Sequence, residues 1–233
     1  MSGEKIAIVG ELLNGSCVSS LTALGYRVIV LPKDSRLSES VAAHTDLLVF
    51  PLGDLLFCYG GEVGRLLSLQ GLHIISVDEV PNREYPRDIY LNALVVGKYI
   101  FANEKYLSAA IRAESERRGY SVINVRQGYA RCTACPIGEN AIITADVSIA
   151  RAAASVGIEV LPISSGGVEL TGYSYGFIGG ACGVDTDRVF FAGDIYTHPD
   201  GERIVEFCEK RGKEVISLCG GSLCDVGSIF FIK

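Results

Sequence analysis

Gly61-Glu-Val-Gly-Arg-Leu-Leu-Ser-Leu-Gln-Gly-Leu-His-Ile-Ile-Ser-Val77 decides how this chain is read. Gly61–Leu69 reads as a helix, Gly71 as its stop, and Leu72–Val77 as the strand that follows at once. Glycine just past a helix accepts the left-handed backbone that ends it. The aliphatic, β-branched run behind it suits a buried strand. Two further strands, Asp46–Pro51 and Leu55–Tyr59, precede the helix.

The same order recurs. Gly25, Gly119, Gly157 and Gly212 lead into Tyr26–Pro32, Tyr120–Val125, Ile158–Ile163 and Lys213–Leu218. Successive glycines are 46, 48, 38 and 55 residues apart, and the interval through the joined termini is again 46. Periods of this size mark repeat architectures. Tyr90–Val96 and Tyr99–Ala102 precede the helix Glu104–Arg118, and Phe177–Gly179 and Arg188–Ala192 precede Pro199–Arg211. Lys5–Val9, ahead of the helix Gly15–Leu24, and Ser228–Ile232 complete the unit that the termini split. The expectation is one domain over residues 1–233, a ring of five ββαβ units with one unit closed by the N- and C-terminal strands. The alternative is a doubly wound α/β sheet whose helices all end in glycine.

Composition narrows the function classes. The chain is 48% apolar and 21% charged, enough for a substantial core. Its net charge is −6, and no basic cluster is longer than Arg117–Arg118, which argues against a nucleic-acid partner. The Met-Ser-Gly-Glu-Lys start lacks an apolar signal core, and no 18-residue apolar span occurs, so no membrane association and a cytoplasmic location are expected.

Eight cysteines without a signal segment argue against a disulfide framework. Cys17, Cys58 and Cys208 read as small core hydrophobes. Cys132-Thr-Ala-Cys135 invites a zinc or redox reading, with Cys219 and Cys224 as a second pair. That pair has four intervening residues and no histidine stands near either pair, so no metal or other cofactor is expected. Gly10-Glu-Leu-Leu-Asn-Gly15 has a strand before it and a helix after it, as in dinucleotide binding, but departs from the glycine fingerprint. Gly176-Phe-Ile-Gly-Gly180 reads as close backbone packing.

In a ring, the segments after the glycine-led strands return to the axis. They carry Asp34, His44, Asp88, Arg131, Cys132, Glu169, Tyr173, Cys224 and Asp225, a polar set able to form a site with shifted pKa values. Of the three histidines, His73 lies within a strand and reads as core, His198 precedes Pro199 as a helix cap, and His44 stands in an axial segment.

Five ββαβ modules around a pseudo-fivefold axis resemble the pentein fold of the guanidine-modifying enzymes. Tyr85-Pro-Arg-Asp-Ile-Tyr-Leu-Asn92 is similar to that group's Arg-Asp segment, Gly128-Tyr-Ala-Arg-Cys132 to the dimethylaminohydrolase cysteine segment, and Gly166-Gly-Val-Glu-Leu170 to a further inner segment. Tyr-Gly-Phe-Ile-Gly-Gly180 and Asn-Ala-Ile-Ile-Thr144 resemble a functionally uncharacterised bacterial pentein-like family. The resemblance implies a carboxylate pairing with a planar cation, a cysteine thiolate attacking its central carbon, and a histidine moving protons. Transferred to this chain, Asp88 is a substrate carboxylate and Cys132 the nucleophile, with Arg131 beside it lowering the thiol pKa and counted with the substrate-binding residues; from their axial segments Tyr173 and Asp225 are further substrate-binding candidates. Cys224, in the final module, is its rival. Glu169 stands where the resemblance places the histidine. The expected activity is a cysteine-dependent hydrolase or transferase acting on a small, cationic guanidine- or amidine-like molecule. The alternatives are a non-catalytic ring that binds a metabolite or a protein partner, and a nucleotide-binding α/β protein.

Overall fold

The computed structural model describes residues 4–232; the Met-Ser-Gly start lies outside them. The elements in chain order are β1 (Ile6–Gly10), α1 (Gly15–Ala23), β2 (Arg27–Leu31), α2 (Thr45–Leu48), β3 (Val49–Leu52), β4 (Leu55–Cys58), α3 (Gly61–Leu69) and β5 (His73–Ser76). Next come β6 (Leu94–Val96), β7 (Tyr99–Ala102), α4 (Ala109–Arg117), β8 (Ser121–Asn124), α5 (Ala130–Thr133), β9 (Ala134–Pro136), β10 (Ala141–Thr144), α6 (Val147–Ser155) and β11 (Glu159–Pro162). The last are β12 (Val168–Glu169), β13 (Cys182–Val184), β14 (Arg188–Phe191), α7 (Gly201–Glu209), β15 (Glu214–Ser217), β16 (Leu223–Cys224) and β17 (Phe230–Ile232).

These strands form five separate three-stranded sheets, β17-β1-β2, β3-β4-β5, β6-β7-β8, β9-β10-β11 and β13-β14-β15, with a parallel pair β12-β16 beside them. Every three-stranded sheet repeats one pattern. Its first strand runs antiparallel to the second, and a helix carries the chain to a third strand parallel to the second. The termini share one sheet, with Ile6 opposite Ile232. A doubly wound sheet is therefore excluded among the described residues, because each unit opens with an antiparallel pair instead of extending one parallel sheet.

The helix stops follow the sequence. Gly25, Gly71, Gly119, Gly157 and Gly212 have φ between 68° and 87°. At Gly71 the amide still reaches back to Ser68 O at 3.0 Å, so the left-handed turn satisfies a carbonyl of the last helical turn while redirecting the chain. At the other end of two helices the caps are side chains: Asn14 accepts from Ser16 N, and Asp146 from Ile149 N.

The helices bury one stripe each. In α3 this is Val63, Gly64 and Leu67, and a methyl on Gly64 would already touch Cys58 Sγ at 3.3 Å. Packing of this kind joins each sheet to its neighbours. One cluster sets Ile6 and Leu31 against Val49 and Leu56; another sets Phe50 and Phe57 against Leu91 and Ile100. A third joins Leu94 and Phe101 to Ala134 and Ile142, and a fourth joins Cys135 and Ile143 to Cys182 and Phe191. A fifth sets Phe190 and Ala192 against Ala7, Val9 and Leu21, so the last sheet packs on the first.

Four sequence expectations need correction. The strand expected at Phe177–Gly179 lies at Cys182–Val184. Gly179 and Gly180 instead bring their backbone against the carbonyls and carboxylate of Arg131, Cys132, Ala134 and Asp225, where a Cβ would stand within 2.6 Å. Residues 46–48, expected in a strand, close a helical turn in which Asp46 is buried. The helix expected from Glu104 begins at Ala109, because Tyr106 N and Leu107 N both return to Asn103 O in a separate turn. His73 is not core: β5 is a sheet edge, and its imidazole is 75% exposed, 3.8 Å from Asp54.

Candidate functional site: an exposed groove over a buried polar centre

The short pair β12-β16 sets Glu169 directly opposite Cys224. Parallel register partners on one sheet face stand side by side, so carboxylate and thiol share one neighbourhood. Both residues are exposed and line a groove of about 400 Å³ with Lys33, Glu39, Ser40, Thr171 and Asp225. Lys33 spends its charge on Glu39 at 3.0 Å and Glu11 at 3.7 Å. Partial burial and the charge of Glu169, followed by Cys219 and Asp225, raise the Cys224 thiol above its usual range. A cation in the groove would act the other way.

Beneath lies a buried centre built from segments far apart in the chain. Cys132 Sγ donates to Asp46 Oδ2 at 2.9 Å and accepts from Asn92 Nδ2 at 3.2 Å. Ser228 Oγ donates to the same Asp46 oxygen at 2.7 Å. His44 Nδ1 stands 3.7 Å from Asp225 Oδ1, with both side chains almost fully buried. The Asp225 carboxylate accepts from Phe177 N at 2.9 Å and Gly227 N at 3.1 Å. Burial dominates the proton affinities here. It pushes Asp225 up to about 6, raises Asp46, lowers His44, and, with the charges of Asp46 and Asp225, holds the Cys132 thiol well above its usual range.

The remaining residues singled out by sequence lie elsewhere. Asp88 is buried, accepts from Tyr129 Oη at 2.5 Å, and leaves Oδ1 without a partner. Arg131 is buried and donates to the carbonyls of Ala134, Gly179 and Cys182, with its guanidinium over Phe230; its donors are committed to structure. Tyr173 is 56% exposed on the loop after Leu170. Thus Glu169, Cys224 and Asp225 line one groove, while Asp88, Arg131 and Cys132 do not line it.

The cysteine pairs read from sequence also come apart. Cys135 turns away from Cys132 towards Cys182, whose thiol is raised by burial but lowered overall by Cys135 and the nearby Arg131. Cys219 faces Cys17 with sulfurs 2.8 Å apart, and burial and that contact push Cys17 up to about 12. His198 Nδ1 accepts from Asp200 N at 3.0 Å, bracing the start of α7.

Asp46, Asn92 and Ser228 were not singled out by sequence, and His44 was named only for its axial segment. For Asn92 and Ser228 the missed signal was positional: like Cys132, each stands two residues before the first strand of a sheet. No helix among the described residues is long and apolar enough to cross a membrane.

Known structures place this architecture. The chain is similar to DDAH from Pseudomonas aeruginosa in complex with citrulline, at 12% identity and a TM-score of 0.54, over 92% of this chain and 91% of that one. It is similar to ArgZ, an arginine dihydrolase from the ornithine–ammonia cycle in cyanobacteria, at 10% identity and a TM-score of 0.51, over 91% of this chain and 36% of that one. SxtG, an amidinotransferase from Microseira wollei, matches at 13% identity and a TM-score of 0.50, over 91% and 87% of the two chains. At such identities the likeness establishes the fold, which is of the pentein type. No curated protein matches the chain. Residues 8–230 match the model of a family of unknown function, DUF6873, and the chain belongs to that family.

Proposed function

We propose that this chain is a cysteine-dependent hydrolase or transferase of a small guanidine- or amidine-like cation, built as a single five-module ring about a pseudo-fivefold axis. The shared sheet of the two termini supports the ring, as does the packing of the last sheet on the first. So does a cavity of about 170 Å³ that Phe50, Val95, Pro136, Val184 and Phe231 line, one residue from each three-stranded sheet or its edge.

The pairing of Glu169 with Cys224 carries the catalytic reading. A planar cation entering the groove meets the carboxylates of Glu39 and Glu169. Its charge offsets the neighbours that raise the Cys224 thiol, and Glu169 takes the thiol proton. The thiolate attacks the central guanidinium carbon and a C–S bond forms. The C–N bond then breaks as Glu169 returns the proton to the leaving amine. Water, or an acceptor amine in a transferase, next displaces the thiol. Cys132 is the poorer nucleophile: it is buried, hydrogen-bonded to Asp46, and held as the thiol.

Incubation with arginine, agmatine, methylarginines and related amidines tests the reading, with ureido product, released amine and adduct mass followed. Turnover or an adduct on Cys224, lost in Cys224→Ser, supports it. No turnover, no adduct and no thermal shift with any of them would reject it. A second reading, a non-catalytic ring that binds a metabolite or protein partner, is favoured by one observation: no histidine lines the groove among the described residues.

A further inference from the structure

We propose that His44, Cys132 and Asp225 form a zinc(II) site at the buried centre; Asp225 also borders the groove, but neither Cys224 nor Glu169 is a ligand. One ligand atom from each of the three lies within 4.8 Å of the others. In a tetrahedral zinc site, bonds of about 2.0–2.3 Å place ligand atoms roughly 3.3–3.7 Å apart. The His44–Asp225 pair already stands at 3.7 Å, so closure asks for side-chain movements of about 1 Å or less.

The second observation is the state of the polar atoms at the centre. His44 Nε2 and Asp46 Oδ1 are buried and have no hydrogen-bond partner. Buried polar atoms are nearly always satisfied, yet His44, whose Nδ1 faces Asp225, and Asp46, which holds Cys132, each leave one side-chain atom without a partner here. Arg131 packs near but gives its donors to the carbonyls of Ala134, Gly179 and Cys182.

The surroundings are built to hold ligands. Two backbone amides fix the Asp225 carboxylate. Gly180 makes room for it, since a Cβ there would stand 1.9 Å from Oδ1. Gly227, at φ 72°, lets the His44 side chain lie on the backbone, where a Cβ would come within 2.3 Å. Asn92 donates to Cys132 Sγ, which suits a thiolate, and Asp46 stands 2.9 Å away to take the thiol proton and return a hydrogen bond. A thiolate, a carboxylate and a neutral imidazole around a dication sum to zero charge. That balance suits a buried position, where an uncompensated charge is costly. The cysteine spacing read from sequence gave no hint of the site, because its ligands come from three distant segments.

The full chain, grown with zinc and purified without chelator, tests this by elemental analysis and cobalt(II) exchange. We expect close to one zinc per chain, a rise in Tm when zinc returns to chelator-stripped protein, and a thiolate-to-cobalt charge-transfer band. Cys132→Ser and His44→Gln lose metal and band, while Cys224→Ser keeps both, so the outcome is independent of turnover. A cobalt form without the thiolate band, or metal content unchanged in Cys132→Ser, overturns the site. Should either variant fail to fold by circular dichroism, wild-type protein decides: zinc must protect Cys132 from alkylation mapped by mass spectrometry, and equal labelling with and without zinc refutes the proposal.

Discussion

The groove and the buried centre use the same chemical vocabulary, a cysteine beside carboxylates, and put it to opposite ends. In the groove Cys224 and Glu169 face solvent on a two-residue pair of strands. At the centre Cys132 is 3% exposed and locked between Asp46 and Asn92. Solvent access separates the two. A thiol near carboxylates is hard to ionise in either place, but only an exposed one can be rescued by an arriving cation. A buried one is stabilised by its fixed partners or by a bound metal.

The largest effect that would break this contrast is catalytic. Cys224→Ser should lower turnover of a guanidine substrate roughly 1000-fold or more, because the lost group makes the covalent bond. If Cys224→Ser retains activity while Cys132→Ser loses it, the assignment of the two thiols is reversed.

Reactivity sharpens the same comparison without a substrate. A mild electrophile at neutral pH should label Cys224 about 100-fold faster than Cys132, since Cys132 needs local opening before reagent can reach it. Peptide mapping over a time course reads the ratio, and equal rates would contradict the burial of the centre.

Stability should show the reverse sensitivity. Asp46→Asn replaces a carboxylate that accepts from Cys132 and Ser228 by an amide that matches only part of that pattern. A loss of about 2 kcal/mol is expected in urea unfolding. Glu169→Gln, at an exposed groove position, should stay within about 0.5 kcal/mol.

The smallest effect concerns pH. Burial raises the Asp88 carboxyl above its ordinary value, partly offset by the hydroxyl of Tyr129. The folded state therefore holds a proton that the unfolded state has released. Its stabilising contribution is full below about pH 4 and is lost as pH rises through the folded-state value. Asp88→Asn should flatten this decline in a series of urea titrations. An unchanged slope would show that Asp88 titrates normally.

Much of the architecture was legible in local sequence, because its determinants are local. A helix that stops at Gly71 and a strand that starts at once need only a residue free to take φ 77° and an aliphatic run behind it. The near-even spacing of such stops, and its continuation through the termini, was enough to expect Ile6 and Ile232 in one sheet. Glu169 and Cys224 were singled out differently, through the resemblance to the guanidine-modifying enzymes, and their pairing in a separate two-stranded sheet was not foreseen. Close packing at Gly179 and Gly180 was legible, but the strand expected at Phe177–Gly179 was not found, because those glycines pack against carbonyls and a carboxylate contributed by distant segments.

What sequence determined by itself was therefore the repeating unit, its boundaries within a few residues, and the inventory of reactive side chains. Tertiary structure decided which cysteine meets solvent, that Cys135 turns to Cys182 and Cys219 to Cys17, and that His44, Asp46, Cys132 and Asp225 converge. The physical reason is range. Backbone preference and hydrophobic patterning act over a few residues, whereas burial and hydrogen-bond pairing depend on groups such as Asp46 and Ser228, which touch at 2.7 Å although 182 residues separate them along the chain.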